Sequence, residues 1–230
     1  SGRAILEAGR LINAGDGDAL LASAGAGSPV VRRASAVAVS FDKVELLAFG
    51  ETLPLSRLIP AVGRLFGTTP DDCELHFYSI NFDAASERLL VPLLFGAHVV
   101  LRAQGQWDAE QICASIRAHR INVLGFTPSY GRQTAQWLAD RGERLPVRLC
   151  IVGGEALTAE HRDEIERVFT PEVFFNAYGP TETVVMPLAC VVSDVAADNP
   201  ASLPIGNAVG ARTVNVLDAD LSVMPPRAGG

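Results

Sequence analysis

The sequence predicts an α/β protein with a mostly parallel sheet layered with helices, followed by a β-rich segment. From Cys73 to Phe175, short β-prone runs alternate with amphipathic stretches of about 10–15 residues, a pattern typical of parallel strands joined by crossover helices. After Met186 the alternation stops, and the remaining apolar runs are separated by a loop rich in Ala, Asn, Pro and Gly. We therefore expect an α/β core over residues 1–187 and the start of a β-rich subdomain over residues 188–230.

Hydrophobic spacing and turn residues place the elements in order along the chain. Pro54 suits the first turn of a helix that Gly67 ends, and Thr158 and Asp83 stand at N-cap positions. The predicted strands are 10–13, 37–41, 44–49, 75–78, 97–101, 121–126, 147–152, 173–175, 188–192 and 213–217, and the predicted helices are 4–8, 16–24, 53–66, 85–95, 107–119, 129–141 and 158–169. The strands at 37–41 and 44–49 are close enough to form a hairpin, and the strand at 97–101 is expected to be buried.

Composition excludes several classes of protein. With 230 residues, of which 48% are hydrophobic, the chain fits one domain or one and a half with a sizeable core. A net charge of −7 without a Lys/Arg stripe argues against a nucleic-acid partner. There is neither a signal peptide nor an apolar run of about 18 residues, so we expect a cytoplasmic protein with no membrane segment. The four cysteines lie far apart, which favours free thiols over zinc ligands.

One motif follows the last predicted strand of the core. Residues 174–183 read Phe-Phe-Asn-Ala-Tyr-Gly-Pro-Thr-Glu-Thr, so a buried strand ends in a Gly-Pro turn and two hydroxyls flank a carboxylate. An ordinary polar turn after a strand is the simpler interpretation of Tyr-Gly-Pro-Thr alone. The whole string closely resembles the nucleotide-contacting motif of adenylate-forming enzymes, in the form found in adenylation domains of nonribosomal peptide synthetases. The carboxyl ends of strands are also where open α/β sheets bind ligands.

The resemblance implies a nucleotide site. In that family Tyr178 stacks on adenine, Thr181 touches the α-phosphate and Glu182 holds Mg²⁺ near the phosphates of ATP or AMP. The Gly-Gly-Glu turn after residue 152 resembles the wall of the adenine pocket, and Thr-Pro-Ser at 127–129 resembles the family's Pro-Ser pair at a helix start. The cofactor-binding residues that the resemblance implies are Gly153, Gly154, Glu155, Asn176, Tyr178, Gly179 and Thr181, with Glu182 for the metal.

The resemblance also implies an amino-acid pocket. Residues 76–83 and 93–97 look like the family's substrate segment, in which the residue equivalent to Asp83 pairs with the α-ammonium group. A partly buried carboxylate suits that role through charge-assisted hydrogen bonds, although helix capping is a simpler role for Asp83. The implied lining comprises Asp83, Ala84, Glu87, Gly125, Ile151, Gly153, Ala177, Val185 and Met186. Glu87 favours a basic or polar amino acid if it lines the pocket, and is otherwise a solvated carboxylate on a helix face.

One expected segment departs from the family pattern. Adenylation domains carry a Thr/Ser/Gly-rich loop with a lysine between two strands, and glycines let its backbone amides surround phosphate oxygens. Spacing back from Phe82 places this loop at residues 39–43, which contain no glycine, and Asp42 and Glu45 would repel a triphosphate. Lys43 alone does not rebuild the loop. We also expect no counterpart here of the family's ribose-binding aspartate or of the C-terminal catalytic lysine.

Two functions remain open from the sequence. The favoured one is a degenerate adenylation-like core that serves as a scaffold inside a megasynthase and does not activate amino acids. The alternative is part of a working adenylation domain that selects an amino acid and forms its aminoacyl-AMP. Either function implies other megasynthase domains as partners, such as condensation, carrier-protein or tailoring domains, and the working domain would also take an amino acid as its ligand. A generic nucleotide-binding module is weakly supported because no Gly-x-Gly-x-x-Gly follows a strand.

Overall fold

The structure is a computed structural model of the 230-residue chain. It describes residues 6–7, 10–11, 37–40, 45–48, 55–102, 107–183, 185–195, 202–210 and 214–215. Within these ranges the strands are β1 (Leu6–Glu7), β2 (Arg10–Leu11), β3 (Val37–Ser40), β4 (Glu45–Ala48), β5 (Cys73–His76), β6 (His98–Leu101), β7 (Val123–Phe126), β8 (Leu149–Gly153), β9 (Val173–Tyr178), β10 (Leu188–Val191) and β11 (Asn207–Ala208). The α-helices are α1 (Leu55–Leu65), α2 (Asp83–Leu94), α3 (Ala109–His119), α4 (Pro128–Ala139) and α5 (Ala159–Phe169).

A seven-stranded sheet organises the described part of the chain. Its strand order is β11-β10-β9-β8-β7-β5-β6. The five strands from β9 to β6 are parallel, whereas β10 and β11 are added antiparallel at one side. The predicted α/β class with a mostly parallel sheet is confirmed. The main sheet continues past residue 187 into β10 and β11, and a subdomain boundary at that point stays a prediction.

Helices cover both faces of the sheet, so the central strands β7 and β8 are apolar along their whole length. On one face α3, α4 and α5 pack over Leu124, Cys150 and Phe174. On the other face α1 and α2 pack over neighbouring strand residues that include Ile151 and Phe175. Alternate residues of each strand therefore enter different cores, and all four positions of β7 are buried.

An ion pair fastens the amino-terminal edge of the sheet. The Arg148 side chain donates from Nε to Asp72 Oδ1 at 2.6 Å and from Nη2 to Asp72 Oδ2 at 2.6 Å. Arg148 also donates to the carbonyl of Phe66 at the end of α1, and Asn122 donates to Asp72 Oδ1. These contacts join the residues that precede β5, β7 and β8.

Several predicted elements need correction. The predicted helix at 4–8 is wrong, because Leu6–Glu7 pairs antiparallel with Arg10–Leu11 across a two-residue Ala-Gly connection that suits a hairpin. The strand at 98–101 is not buried. It pairs with β5 alone among the described residues, and Leu101 is 65% exposed.

The predicted caps have mixed outcomes. Thr158 is confirmed as an N-cap, because its hydroxyl accepts a hydrogen bond from the His161 amide. Asp83 is not an N-cap. Phe82 holds that position in an extended conformation, and Asp83 is the first helical residue. The predicted helix at 16–24 and most of the predicted strand at 213–217 lie outside the described residues.

Candidate functional site

The carboxyl ends of β5, β7, β8 and β9 meet at one edge of the sheet because these strands are parallel neighbours. Residues from all the predicted site segments follow these ends. Asp83 comes after β5, Ser129 after β7, Gly154 after β8, and Tyr178 is the last residue of β9. Strand spacing separates β9 from β5 by about 14 Å. The topology places these segments at the same edge, and a common cleft between Asp83 and Tyr178 stays a prediction.

Two of the predicted segments are in direct contact. The amide of Ser129, in the first turn of α4, donates to Glu155 Oε2 at 3.1 Å, and the Ser129 hydroxyl also donates to that oxygen. Burial opposes ionisation of Glu155, but hydrogen bonds from Ser129 and Thr127 outweigh it and lower the pKa of this carboxyl. Glu155 is thus a charged carboxylate that stabilises the start of α4. This contact accounts for a carboxylate at position 155, and its role in a nucleotide pocket stays a prediction.

The turn after β9 is tightly folded. A Cβ on Gly179 would lie 1.4 Å from the carbonyl oxygen of Val185, so only glycine fits. Val185 has φ = +58°, a left-handed conformation that a β-branched residue rarely adopts. Thr181 is exposed in a 3₁₀ turn, Tyr178 is 44% exposed, and the side chain of Glu182 lies outside the described part of the chain. Strained backbone positions cluster at active sites and ligand sites.

Asn176 has a structural contact that the sequence did not reveal. Its side chain is buried, and Nδ2 donates to the carbonyl oxygen of Pro204 at 2.8 Å. This bond holds the segment before β11 against β9. The resemblance implies a role for Asn176 toward a nucleotide, and that role stays a prediction.

Asp83 has one carboxylate oxygen available. Its Oδ1 accepts a hydrogen bond from the Ala84 amide at 2.7 Å. Its Oδ2 is buried and has no hydrogen-bond partner among the described residues. A buried carboxylate oxygen without a donor is costly, so this atom is a candidate acceptor for an ammonium group.

The remaining lining residues differ in accessibility. Ile151 and Met186 are buried in the apolar cluster beneath α1 and α2. Gly153 lies against Ala177, because a Cβ on Gly153 would come within 2.6 Å of the Ala177 carbonyl oxygen. Gly125 is covered by other side chains, since its Cβ would meet Arg88 Cδ at 3.2 Å and Tyr78 Cε2 at 3.4 Å.

Buried charges occupy this region, and sequence reasoning identified only one of them. Glu87 is 4% exposed, so its interpretation as a solvated carboxylate is wrong. Arg88 is 3% exposed, with Nη1 3.3 Å from Glu74 Oε1 and Nε 3.8 Å from Glu87 Oε1. Burial raises the pKa of Glu74 to about 7, although Arg88 opposes that rise. The available signal for this cluster was a charged residue within a strand of a parallel sheet, because helices cover both faces of such a sheet.

The hairpin of β3 and β4 lies where the sequence analysis expects the loop that would bind the phosphates of ATP. Its antiparallel register runs from Val37 opposite Ala48 to Ser40 opposite Glu45, which confirms the predicted hairpin. Four residues, Phe-Asp-Lys-Val, connect the last paired positions, and none is glycine. Alternate amides of the flanking strands are committed to pairing. The connection lacks the glycines expected of the family's phosphate loop, and its assignment as the counterpart of that loop stays a prediction.

Other features of the described residues bear on the ligand. No group of three or more His, Cys, Asp or Glu side chains among them is arranged to hold a metal ion. All four cysteines are free thiols, and two of them, Cys113 and Cys150, are buried, whereas the sequence predicted three buried ones. In the ranges that the structure describes, no helix has the length and apolar character to cross a membrane. A cavity of about 1050 Å³ lies between α1 and the β10–β11 side, and none of the predicted site residues lines it.

The fold is that of the α/β class of proteins with a mostly parallel sheet, and comparisons with known proteins specify the family. The profile of the family "AMP-binding enzyme" matches residues 55–230. The chain therefore belongs to the AMP-binding enzyme family. Among relatives, gramicidin S synthase 2 of Brevibacillus brevis is 29% identical over 149 residues, which is 64% of this chain and 3% of that protein. The non-ribosomal peptide synthetase CmlP of Streptomyces venezuelae is 35% identical over 134 residues, which is 57% of this chain and 13% of that protein.

Solved structures agree with this assignment. The nonribosomal peptide synthetase FmoA3 superimposes with a TM-score of 0.70 and 22% identity, over 79% of this chain and 19% of that one. PA1221, a nonribosomal peptide synthetase protein containing adenylation and carrier-protein domains, gives a TM-score of 0.59 and 25% identity over 68% of this chain and 27% of that one. The predicted resemblance to the core of a nonribosomal peptide synthetase adenylation domain is confirmed. The chain spans a small part of the length of these relatives.

Proposed function

We propose that this chain is an adenylation-like core of a nonribosomal peptide synthetase that does not activate amino acids with ATP and acts as a structural domain of a larger assembly. The observation that carries the proposal is the register of the β3–β4 hairpin. Only four glycine-free residues link Ser40 to Glu45, where spacing back from Phe82 predicts the family's phosphate loop. The family match begins at residue 55, after this hairpin.

The physical reason is the charge on departing pyrophosphate. An adenylating site stabilises that charge with converging amides, a lysine and Mg²⁺. Here alternate strand amides are used in pairing, and an acid, Asp42, lies within the connection. Removing one such donor typically costs about 10²–10³ in rate, so loss of the loop should abolish turnover. Adenine binding through Tyr178 and the turn at Gly153 and Gly154 is compatible with this proposal.

The test is amino-acid-dependent ATP–pyrophosphate exchange with all twenty amino acids. An intact adenylation domain serves as the positive control. We expect no exchange above background. Exchange that disappears in Glu182→Ala would show a working phosphate and metal site in this chain and would overturn the proposal.

One observation favours the alternative, a working amino-acid-selecting domain. Asp83 Oδ2 is buried without a partner among the described residues, as expected for a group that awaits an α-ammonium. Calorimetric titration with an aminoacyl-adenylate analogue that cannot be hydrolysed separates the two functions. Binding that is lost in Asp83→Asn supports the alternative, whereas no binding supports a scaffold.

The partners follow from the relatives, which are multidomain synthetases. A structural core in such an assembly would contact neighbouring condensation, carrier-protein or tailoring domains. Co-elution of this chain with separately expressed neighbouring domains of its parent protein is the corresponding measurement. Independent elution of every pair would contradict a scaffold role.

A further inference from the structure

The charged cluster of Glu74, Glu87 and Arg88 lies within the predicted amino-acid pocket. Glu74 projects from β5, and the other two side chains project from α2 toward the sheet. All three are at least 95% buried. A buried cluster of ionisable side chains is unusual in an apolar core, since transferring charged groups out of water costs free energy.

The stem of Arg88 covers the floor of the predicted pocket. A Cβ on Gly125 would lie 3.2 Å from Arg88 Cδ, so the Arg88 chain runs directly over Gly125. Gly125 pairs in register with Ile151 on the next strand. Both residues belong to the lining that the family resemblance implies. Arg88 therefore fills space that a bound amino acid would need.

The Arg88 head is held by charge and is not locked by hydrogen bonds. Its nitrogens lie 3.3 Å from Glu74 and 3.8 Å from Glu87, and none forms a hydrogen bond with a described residue. Its guanidinium carbon is 4.8 Å from the centre of the Phe66 ring. The Arg148–Asp72 pair, with two bonds of 2.6 Å, is the contrasting geometry of a structural ion pair in this chain.

The positions of Asp83 and Glu87 indicate which kind of amino acid the Arg88 side chain would replace in the pocket. Asp83 and Glu87 are four residues apart on α2 and so share one face of the helix. They are separated by about 6 Å along the helix axis. An amino acid with its α-ammonium at Asp83 would place a cationic side chain near Glu87, where the Arg88 guanidinium now lies.

We propose that Arg88 is a built-in occupant of this pocket, which takes the place of a cationic amino-acid side chain and excludes free amino acids. The inference rests on the proposed function in one respect, because the location of the amino-acid pocket is taken from the resemblance to adenylation domains. An amino-acid pocket that is already occupied is consistent with the proposed absence of a phosphate loop, because neither half of the site would then serve amino-acid activation. Shortening Arg88 should convert the cluster into a binding site for guanidinium compounds.

The test compares the full chain with its Arg88→Ala variant by calorimetry and thermal unfolding. The probes are L-arginine, guanidinium chloride at low millimolar concentration, and neutral L-citrulline as the isosteric control. We expect Arg88→Ala to bind L-arginine but not L-citrulline. At about ten times its dissociation constant, guanidinium should raise the melting temperature of the variant by about 3 °C. The unmodified chain should show neither effect.

Arg132→Ala is the matched control variant. Arg132 also pairs with two glutamates, Glu160 at 2.8 Å and Glu164 at 2.7 Å, but its side chain is 33% exposed. Water solvates those carboxylates when the arginine is removed. We therefore expect no response of Arg132→Ala to guanidinium, and a response equal to that of Arg88→Ala would overturn the inference.

A second arm covers an Arg88→Ala variant that does not fold. In that case low millimolar guanidinium should restore its cooperative unfolding, and Glu74→Gln/Glu87→Gln/Arg88→Met should fold without rescue, because neutral replacement of buried ions is tolerated. Absence of rescue, a folded Arg88→Ala without a guanidinium response, or millimolar binding of an amino acid by the unmodified chain would each contradict the occupant role. These readouts use no ATP, so their failure leaves the exchange assay free to support or overturn the proposed function separately.

Discussion

Gly179 occupies a position that excludes every side chain. A Cβ there would lie 1.4 Å from the carbonyl oxygen of Val185, so a substitution must open the turn after β9. We expect Gly179→Ala to reduce the free energy of unfolding by about 2–3 kcal/mol. Urea denaturation measures this change.

Gly142→Ala is the control for that substitution. Gly142 has φ = +66°, but nothing lies within 4 Å of its Cβ position. Its replacement should cost only the left-handed backbone strain, about 1 kcal/mol. Equal losses in the Gly179 and Gly142 variants would mean that the close approach to Val185 carries no energetic weight.

Glu74 should make stability depend on pH. Burial raises its pKa from 4.5 to about 7, Arg88 opposes the rise, and Glu87, Asp72 and Arg148 act more weakly. The folded state therefore holds the Glu74 proton more tightly than the unfolded state, and stability falls as pH rises from 4.5 to about 7. The loss is at most about 3 kcal/mol.

Glu74→Gln isolates this effect because it keeps the shape and removes the titration. Urea unfolding of both proteins at about pH 5 and about pH 8 gives the comparison. The stability of Glu74→Gln relative to the unmodified chain should increase at the higher pH. A constant difference would show that Glu74 has an ordinary pKa in the folded protein.

Single residues show where sequence reasoning stops. The motif around Tyr178 and the position of Asp83 were predictable, because local order and strand ends suffice to place them at one edge. The bond from Asn176 to Pro204 and the pairing of Arg88 with Glu74 were not. Each depends on which distant side chains the packing brings together.

At the scale of elements, the Asp72–Arg148 pair joins α1 to the starts of three strands. Asp72→Ala would leave a partly buried guanidinium and the Asn122 amide without their acceptor. We expect a loss of about 3 kcal/mol in the free energy of unfolding. Denaturant titration with intrinsic tryptophan fluorescence is a suitable measurement.

Glu143→Ala is the comparison for Asp72→Ala. Glu143 also pairs with an arginine, Arg117, but both side chains are more than 40% exposed. Such a surface pair contributes about 0.5 kcal/mol. Equal losses of stability in the two variants would show that the Asp72–Arg148 pair contributes no more to stability than an exposed surface pair.

Elements were predicted better than their surroundings. The helices from α1 to α5 lie within a few residues of their predicted bounds, since helical spacing and caps are local signals. The segment at 4–8 failed because pairing with β2 decided its conformation. The burial of β6 failed because strand order, which sequence patterns do not encode, placed it at the side of the sheet.

For the whole molecule, the sheet should show graded protection from hydrogen exchange. β7 and β8 pair on both sides and are buried on both faces, whereas β6 pairs on one side among the described residues. Amides of β7 and β8 should exchange only through global unfolding, and those of β6 through local opening. Native-state exchange followed by mass spectrometry tests this order, and equal protection of β6 and β7 would contradict the topology.

The β3–β4 register has a consequence for re-engineering this chain. If the connection between Ser40 and Glu45 is the counterpart of the phosphate loop, as proposed, its four glycine-free residues call for an insertion and not for a single substitution. Surface insertions are thermodynamically mild, because each doubling of loop length costs only about 0.6 kcal/mol. A graft of a glycine-rich loop at this position should therefore leave the fold intact while it tests whether the rest of the proposed site can use ATP.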